Sequence, residues 1–420
     1  PLVGDSLVSD YSHTIRGEFM STLPVNQNHL STTLHYLFRH PYTSRVEIAS
    51  KTKMTKALVT HAIAHLQSLG YVIETGQEER KKKGSGKARK LICLNPNAAC
   101  SIGIEFNMEQ ICALRCSLNG EVEQMIRKPI HSIDLEKLSE IISEMINTLF
   151  NESRTPVLGV GLAIPGHYDQ DQDSIVTNNP AWKHFSLKKI QDQLIEPLPM
   201  SIENNVECMS YGRYLFRSES SPDEFILLHI GPGLYCSFFD SALTERKKSN
   251  YFGEIGHSVV DINGILCECG KKGCLQTYIS NNWLNQRARI YLENGASPVL
   301  RNLVRKADDL NVEILQKAYL QNDPFIRNIL EDGISRLAIT LSNLLIVHDA
   351  KRIFINSQLL QESELEAYFR RRIMEQFSFI LGLDSIPVEI LPFRYDRGAQ
   401  GACALVFYDQ LIQHPDHALC

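Results

Sequence analysis

Three cysteines fall inside eight residues, in the run Cys267-Glu268-Cys269-Gly270-Lys271-Lys272-Gly273-Cys274. Cysteines this dense usually share a metal, so the run predicts a tight metal-binding loop. Gly270 and Gly273, set between the sulfurs, permit such a loop to close. A histidine as fourth ligand would complete a tetrahedral site, and His257 stands ten residues before Cys267. With no open coordination position, such a site stabilises rather than catalyses. The other reading, three free thiols and an unrelated histidine, leaves the density of cysteines unexplained. The chain's eleven cysteines are odd in number and spread over 420 residues. That argues for a reducing cytoplasm and against a disulfide scaffold.

Charge divides the chain. Residues 1–100 hold 13 Lys+Arg against 7 Asp+Glu, and the remaining 320 hold 30 against 41, a head of +6 on a body of −11. A basic head suggests a polyanionic partner. Hydrophobic residues make up 43% of the chain, which excludes a disordered tail protein. The start does not read as a secretory signal. No apolar run approaches the roughly 18–20 residues of a membrane helix, so no membrane insertion is expected.

Within the head, Leu30, Leu34, Leu37 and Phe38 share one helical face, which Pro41 ends. A short helix follows over about Arg45–Lys51, with Val46, Ile48 and Ala49 inward. Thr55 then caps a third helix running to about Leu69, with Leu58, Ala62, Leu66 and Leu69 buried and Gly70 closing it. Tyr71–Glu74 and Leu91–Leu94 read as antiparallel strands. Between them, Arg80–Lys90 is basic at seven of eleven positions. Three helices and a basic hairpin predict a winged helix-turn-helix over residues 1–95, reading a double-stranded DNA operator. Lys56, Thr60 and His61 are the base-edge candidates, Arg45 and Lys53 the phosphate contacts, and Lys87 and Arg89 the wing contacts.

From residue 96 to 420 the pattern turns α/β. Ser101–Glu105 and Gln110–Ser117 are strand-like, Asn119-Gly120 is a hairpin turn, and a helix covers about Leu135–Phe150 before the strand Val157–Ala163. A similar opening from Phe225 onward suggests two lobes around a cleft. Asp323-Pro324 opens a long helix to about Leu345, striped by Leu330, Ile334, Leu337, Leu341 and Leu344.

The residues Gly159-Val160-Gly161-Leu162-Ala163-Ile164-Pro165-Gly166, Asn179-Pro180-Ala181-Trp182 and Glu203-Asn204-Asn205 are followed by Gly253-Glu254-Ile255-Gly256-His257 and the cysteine run ending in Leu275. Together they resemble the ROK family, whose GEIGH…CxCGxxGCLE pattern they follow almost letter for letter. That family groups bacterial sugar kinases with sugar-responsive transcription regulators. The resemblance implies a two-lobed actin-like (ribonuclease H-like) fold. It also implies a structural Zn2+ on His257, Cys267, Cys269 and Cys274. With the head, it points to the regulator branch of NagC and Mlc type. Pro387–Leu391 and Gly398-Ala399-Gln400-Gly401-Ala402 resemble the family's closing strand and glycine turn.

Departures from the kinase pattern are as informative. The D-x-G-G-T phosphate loop reads Glu105-Phe106-Asn107-Met108-Glu109, losing both glycines. The second phosphate segment reads Gly231-Pro232-Gly233-Leu234-Tyr235, and the late Gly-Gly has become Asn356-Ser357. Asn205 stands where the resemblance places the catalytic base, and an amide cannot take a proton from a sugar hydroxyl. The chain is therefore expected not to be an enzyme. The family's sugar contacts carry over to Asn179, Asn204, Asn205, Glu254 and His257, with Gln276 in place of the usual Glu. These side chains suit hydroxyls, which both donate and accept. The expectation is a cytoplasmic repressor of carbohydrate genes, a homodimer or tetramer, controlled by a sugar or sugar phosphate. The alternatives are control by protein contact with a sugar-transport component, the sugar site being vestigial, or an active sugar kinase.

Overall fold

Asn26 starts the first element. Its side chain accepts the His29 N–H at 3.0 Å, and α1 runs over Gln27–Arg39. This is a computed structural model, and it describes residues 26–79, 89–132, 134–177, 179–216, 221–242, 252–377 and 388–415. Leu30, Leu34, Leu37 and Phe38 are buried, as their spacing predicts. Ser44 caps α2 (Arg45–Thr52), which buries Ile48 and Ala49. Val46, expected inward, is 38% exposed, because so short a helix buries only a narrow stripe. Lys53 turns the chain in a left-handed conformation (φ 60°), and Thr55 caps α3 (Lys56–Ser68). The buried face of α3 is Val59, Ala62, Ile63 and Leu66, rotated from the expected stripe, so that Leu58 and Leu69 are only half-buried. The face is centred on Ile63 because α3 packs against both α1 and α2. β1 (Val72–Glu79) and β2 (Arg89–Leu94) pair antiparallel with Val72 opposite Leu94, and Thr43 bridges to Ile92. This is the element order expected of a winged helix-turn-helix. Residues 80–88, most of the basic run and with it Lys87, lie outside the described residues.

The first lobe carries β3 (Cys100–Phe106), β4 (Gln110–Ser117), β5 (Val122–Pro129), α4 (Leu138–Asn151), β6 (Val157–Ile164), β7 (His167–Asp169), β8 (Ser174–Val176), α5 (Leu187–Asp192), β9 (Met200–Asn204) and α6 (Asn205–Phe216). Its sheet runs β5-β4-β3-β6-β9, with antiparallel pairing up to β3 and parallel pairing from there. In the second lobe β10 (Glu224–Ile230) and β11 (Leu234–Asp240) form a hairpin, followed by the cysteine loop and the helices α7 (Gln276–Ile279), α8 (Asn281–Glu293), α9 (Pro298–Leu303), α10 (Val312–Leu320) and α11 (Pro324–Val347). Then come β12 (Ile353–Ser357), α12 (Ser363–Phe377) and β13 (Val388–Leu391), giving a sheet ordered β11-β10-β12-β13. The hairpin-then-parallel plan thus recurs, as the sequence suggested. On α11 the striped residues are buried except Leu344, which is half-buried near the helix end.

One expectation is corrected at the C-terminal end. Gly398-Ala399-Gln400-Gly401-Ala402 is not a turn but the start of a buried helix, α13 (Arg397–Val406), which returns to the first lobe. A Cβ on Gly401 would lie 2.0 Å from the Cys208 carbonyl oxygen of α6. The glycines that suggest a turn therefore serve close crossing of two helices. Past α13, Phe407–Ile412 continues as a π-helical extension. The head is not detached: its core residues belong to one apolar cluster with Leu118, Tyr214 and Phe407 of the first lobe. Among the described residues no helix is long and apolar enough to cross a membrane.

Candidate metal centre and ligand cleft

The cysteine loop folds back on itself through short antiparallel bridges, Leu266 to Lys272 and Val259 to Cys274. Gly273 (φ 69°) sits so close to Asp261 that a Cβ would be 1.6 Å from its carbonyl oxygen, so only glycine fits. The loop is fastened to α11 by Arg336, which donates to the Val260 carbonyl at 2.9 Å and lies 4.1 Å over the Tyr278 ring.

This loop gathers His257, Cys267, Cys269 and Cys274 so that their ligand atoms all lie within 4.8 Å of one another. Cys267 Sγ is 3.6 Å from His257 Nδ1, and Cys269 Sγ is 3.6 Å from Cys274 Sγ. A tetrahedral ion with ligands at about 2.3 Å (S) and about 2.0 Å (N) would set these edges at roughly 3.6–3.8 Å. The residues therefore fit a metal ion. Burial pushes the Cys274 thiol up to about 12, helped by the Cys269 thiol and the charge on Cys267. Cys269 goes the other way: burial raises it, but the Lys271 N–H and the neighbouring thiols outweigh that. A bound cation would relieve this crowding of thiolates.

With Nδ1 turned to the sulfurs, His257 Nε2 faces the cleft, 3.9 Å from Glu254 Oε2. The other oxygen of Glu254 is 3.7 Å from Nε2 of His167, a buried atom with no hydrogen-bond partner. Glu254 thus stands between a histidine of the first lobe and one of the second, at separations that suit a bridging water or hydroxyl. His167 was missed in the sequence, although it directly follows the Pro165-Gly166 turn that the motif defines. Asn204 closes the floor at the end of β9: its amide donates to the Gly166 carbonyl at 3.1 Å and its Oδ1 accepts the Val206 N–H at 2.9 Å. Asn205 is the next residue, half-buried, and opens α6. Asn179 Oδ1 caps the turn Pro180–Trp182, which Trp182 anchors by packing 5.3 Å from the Phe106 ring. Gln276 faces the metal cluster instead, donating to Cys267 Sγ at 3.4 Å and Glu268 Oε1 at 2.7 Å. It backs the His/Cys cluster, the place an outer-shell partner takes at a metal site.

The region matching the kinase phosphate loop is closed by its own side chains. Asn107 Oδ1 accepts the N–H groups of Glu109 and Gln110, sealing the β3–β4 turn. Glu105 is buried beneath the first turn of α13, where a Cβ on Gly398 would meet its carboxyl carbon at 2.3 Å. Burial pushes this carboxyl up to about 8, against the pull of the Ala399 and Gly398 N–H groups. Behind Gly231, His229 Nδ1 is 3.0 Å from the Asn356 amide, whose Oδ1 accepts from Arg397.

On the head, Lys53, Lys56 and Thr60 are exposed and His61 is half-buried, all near the start of α3. The Thr60 hydroxyl donates back to the Lys56 carbonyl at 2.8 Å. Arg45 is placed differently from its expected phosphate role. It is half-buried and ion-paired to Glu74 at 2.9 Å, with Gln67 beside it. Lys90 donates to the same Glu74, and hydrogen bonds from Lys90 and Arg45 hold that carboxyl below the usual range. Arg89 opens β2.

Comparison with known proteins agrees with this architecture. The model of the ROK family matches residues 101–408. The xylose repressor of Bacillus subtilis (strain 168) is 26% identical over 342 residues, 80% of this chain and 83% of that one. A solved ROK family transcriptional regulator, a homologue of the E. coli MLC protein, superposes with a TM-score of 0.72 at 19% identity, covering 92% of this chain and 97% of that one. A ROK family glucokinase from Streptomyces griseus, solved with glucose and AMPPNP, superposes at 0.59 with 23% identity over 73% of this chain and 98% of that one.

Proposed function

The chain belongs to the ROK family, and on that premise we propose that it is a sugar-responsive transcription repressor with a body that no longer transfers phosphate. The observation that carries this reading is the joining of two parts. A head exposing Lys56 and Thr60 on its third helix is built onto a cleft with an amide, Asn205, where a kinase needs a carboxylate base. Residues 1–95 are the DNA reader and 96–420 the sensor. Lys56, Thr60 and His61 meet base edges. Lys53, Lys87 and Arg89 meet phosphates, and Arg45 joins them once freed from Glu74. His257, Cys267, Cys269 and Cys274 hold a structural Zn2+, since three sulfurs and one nitrogen suit that ion. A homodimer or a dimer of dimers would read a palindromic operator in the cytoplasm.

The effector is a sugar of the kind the related xylose repressors are named for. Glu254, His257, Asn205 and Asn179 hydrogen-bond its hydroxyls, while Asn204 and Gln276 hold the pocket's frame. Burial raises the Tyr235 hydroxyl's pKa, and the nearby carboxylates of Glu207, Glu254 and Glu203 add to it. Three carboxylates around one side of the cleft favour a neutral sugar over a sugar phosphate. Sugar shifts the population toward a lobe arrangement that fits the operator less well, and by reciprocity DNA weakens sugar binding. The test selects genomic fragments with the purified, zinc-loaded protein. It then titrates them with D-xylose, D-glucose and glucose 6-phosphate. Release by a neutral sugar is expected. Failure to select any fragment, or ATP-dependent phosphorylation of either sugar, overturns the reading.

A further inference from the structure

One carboxylate in the cleft lies between two histidine nitrogens. Glu254 Oε1 is 3.7 Å from Nε2 of His167 on β7, and Glu254 Oε2 is 3.9 Å from Nε2 of His257. Both gaps exceed the roughly 3.2 Å reach of an N–H···O hydrogen bond, so no direct bond closes either. Nε2 of His167 is buried and has no hydrogen-bond partner. A buried polar atom left in that state is costly, and native chains keep few of them without a use. The Glu254 side chain is 30% exposed, so a ligand reaches this carboxylate from the cleft.

The parts are held in place before any ligand arrives. Gly166 (φ 126°) turns the chain into β7 so tightly that a Cβ there would lie 2.7 Å from the Val176 carbonyl oxygen. The Asn204 amide donates to the Gly166 carbonyl at 3.1 Å, His167 pairs with Val176 of β8, and the Tyr168 hydroxyl donates to Asp173 at 2.7 Å. On the other side Gly253 (φ 91°) packs against Tyr235, where a Cβ would be 2.4 Å from Cζ. The Tyr235 hydroxyl donates to the Phe252 carbonyl at 2.8 Å, and its ring stands 6.1 Å from the His167 ring. Residues fixed in this way lose little freedom on binding.

A carboxylate only accepts hydrogen bonds, and an imidazole Nε2–H only donates. Whatever joins them must do both, which a hydroxyl does and a carboxylate or an ammonium does not. A hydroxyl oxygen set to one side of each gap lies about 2.8 Å from both atoms it joins. The two oxygens of one carboxylate stand too close together to serve hydroxyls on distant carbons. His257 has Nε2 to offer because its Nδ1 is turned to the sulfurs. We infer that His167 is a further effector-binding residue, and that His167, Glu254 and His257 cradle two adjacent hydroxyls of a neutral sugar. His167 donates to one hydroxyl, His257 donates to the other, and Glu254 accepts from both. This rests on the sugar-responsive reading given above.

The experiment titrates D-xylose and D-glucose by calorimetry into full-length, zinc-loaded wild type, His167→Ala and His167→Gln. The 1-, 2-, 3- and 4-deoxy forms of the tighter-binding sugar follow. Against the wild type, two deoxy forms should bind about tenfold or more weakly, and the two positions should be neighbours. His167→Ala should bind the parent sugar about tenfold more weakly, yet keep its zinc and its sugar-free affinity for a selected operator fragment within about twofold. The deoxy form lacking the hydroxyl that His167 holds should bind wild type and His167→Ala alike, as a direct contact requires. His167→Gln keeps an N–H donor of similar reach and should recover most of the lost affinity. Should the alanine variant not fold, the deoxy series on the wild type still tests the cradle, and sensitivity at positions that are not neighbours overturns it. An unchanged affinity in His167→Ala, or equal losses for every deoxy form, overturns the contact alone. A wild type that binds neither sugar overturns the contact and the functional reading together.

Discussion

Replacing Glu105 with glutamine should flatten part of the pH dependence of this protein's stability. Glu105 is 3% exposed, wedged under the first turn of α13, and its Oε2 is buried without a hydrogen-bond partner. Burial is the main reason its carboxyl titrates near 8, with the charges of Asp396 and Glu109 pushing the same way. The ordinary value is 4.5, so the folded pKa is raised. Between the two values the native chain keeps a proton that the unfolded chain has lost. The stabilisation is then complete below about pH 4.5 and is lost as pH rises toward 8, with a slope of about 1.4 kcal/mol per pH unit. From pH 5.5 to 7.5 that amounts to roughly 3 kcal/mol. Glutamine has the same shape and no titrating proton, so Glu105→Gln should lack this term. Urea unfolding of both zinc-saturated proteins at pH 5.5, 6.5 and 7.5 gives the comparison. Every other titrating group, the metal ligands included, cancels in the difference between them. Wild-type stability minus variant stability should fall by about 3 kcal/mol across the series. Parallel curves, within about 0.5 kcal/mol, would mean that Glu105 is ionised in the native state and that the α13 amides outweigh its burial.

Cys267→Ser should leave the protein without its zinc, read by elemental analysis as a fall from one ion per chain to none, with a large loss of thermal stability. Unchanged metal content would remove Cys267 from the site. Glu74→Gln should free Arg45 and Lys90 for phosphate, raising operator affinity several-fold and steepening the salt dependence by about one unit of slope per phosphate gained. It should cost under about 1 kcal/mol of stability, since these pairs lie near the surface. An unchanged slope would show that Arg45 stays on the protein side when DNA is bound.

What could be read from sequence was whatever depends on near neighbours. β4 falls at Gln110–Ser117 as expected, because alternation and the Asn119-Gly120 turn specify a hairpin locally. Thr55 caps α3 for the same reason. The gathering of the four His/Cys side chains was legible because Cys267, Cys269 and Cys274 share one tight loop, and the resemblance supplied His257. What the sequence did not show shares a different cause. On α3, Leu58 and Val59 are adjacent apolar residues, and only packing against α1 and α2 chooses Val59 for the core. Arg45 looked free because its partner, Glu74, lies on another element beyond α3. The aim of Gln276 toward Cys267 likewise depends on how the loop closes, which near neighbours in the sequence do not show.

Gly398 and Gly401 show most plainly how distant contacts override local propensity. By composition they signal a turn, yet they sit inside a helix because each faces something that excludes a Cβ: Glu105 in one case, the α6 backbone in the other. That geometry also bears on how a kinase-like body can lose its chemistry and keep its form. The Glu105 carboxyl occupies the space under the start of α13 and is best left neutral there, while Asn205 keeps its place at the start of α6 without a base's charge. Neither position lies at the crossing of α6 with α13, which rests on Gly401 against the Cys208 carbonyl. On the proposed function, loss of catalysis and retention of the cleft are separable in this fold, because Glu105 and Asn205 sit at the ends of α13 and α6 while the glycine crossing holds the two helices together.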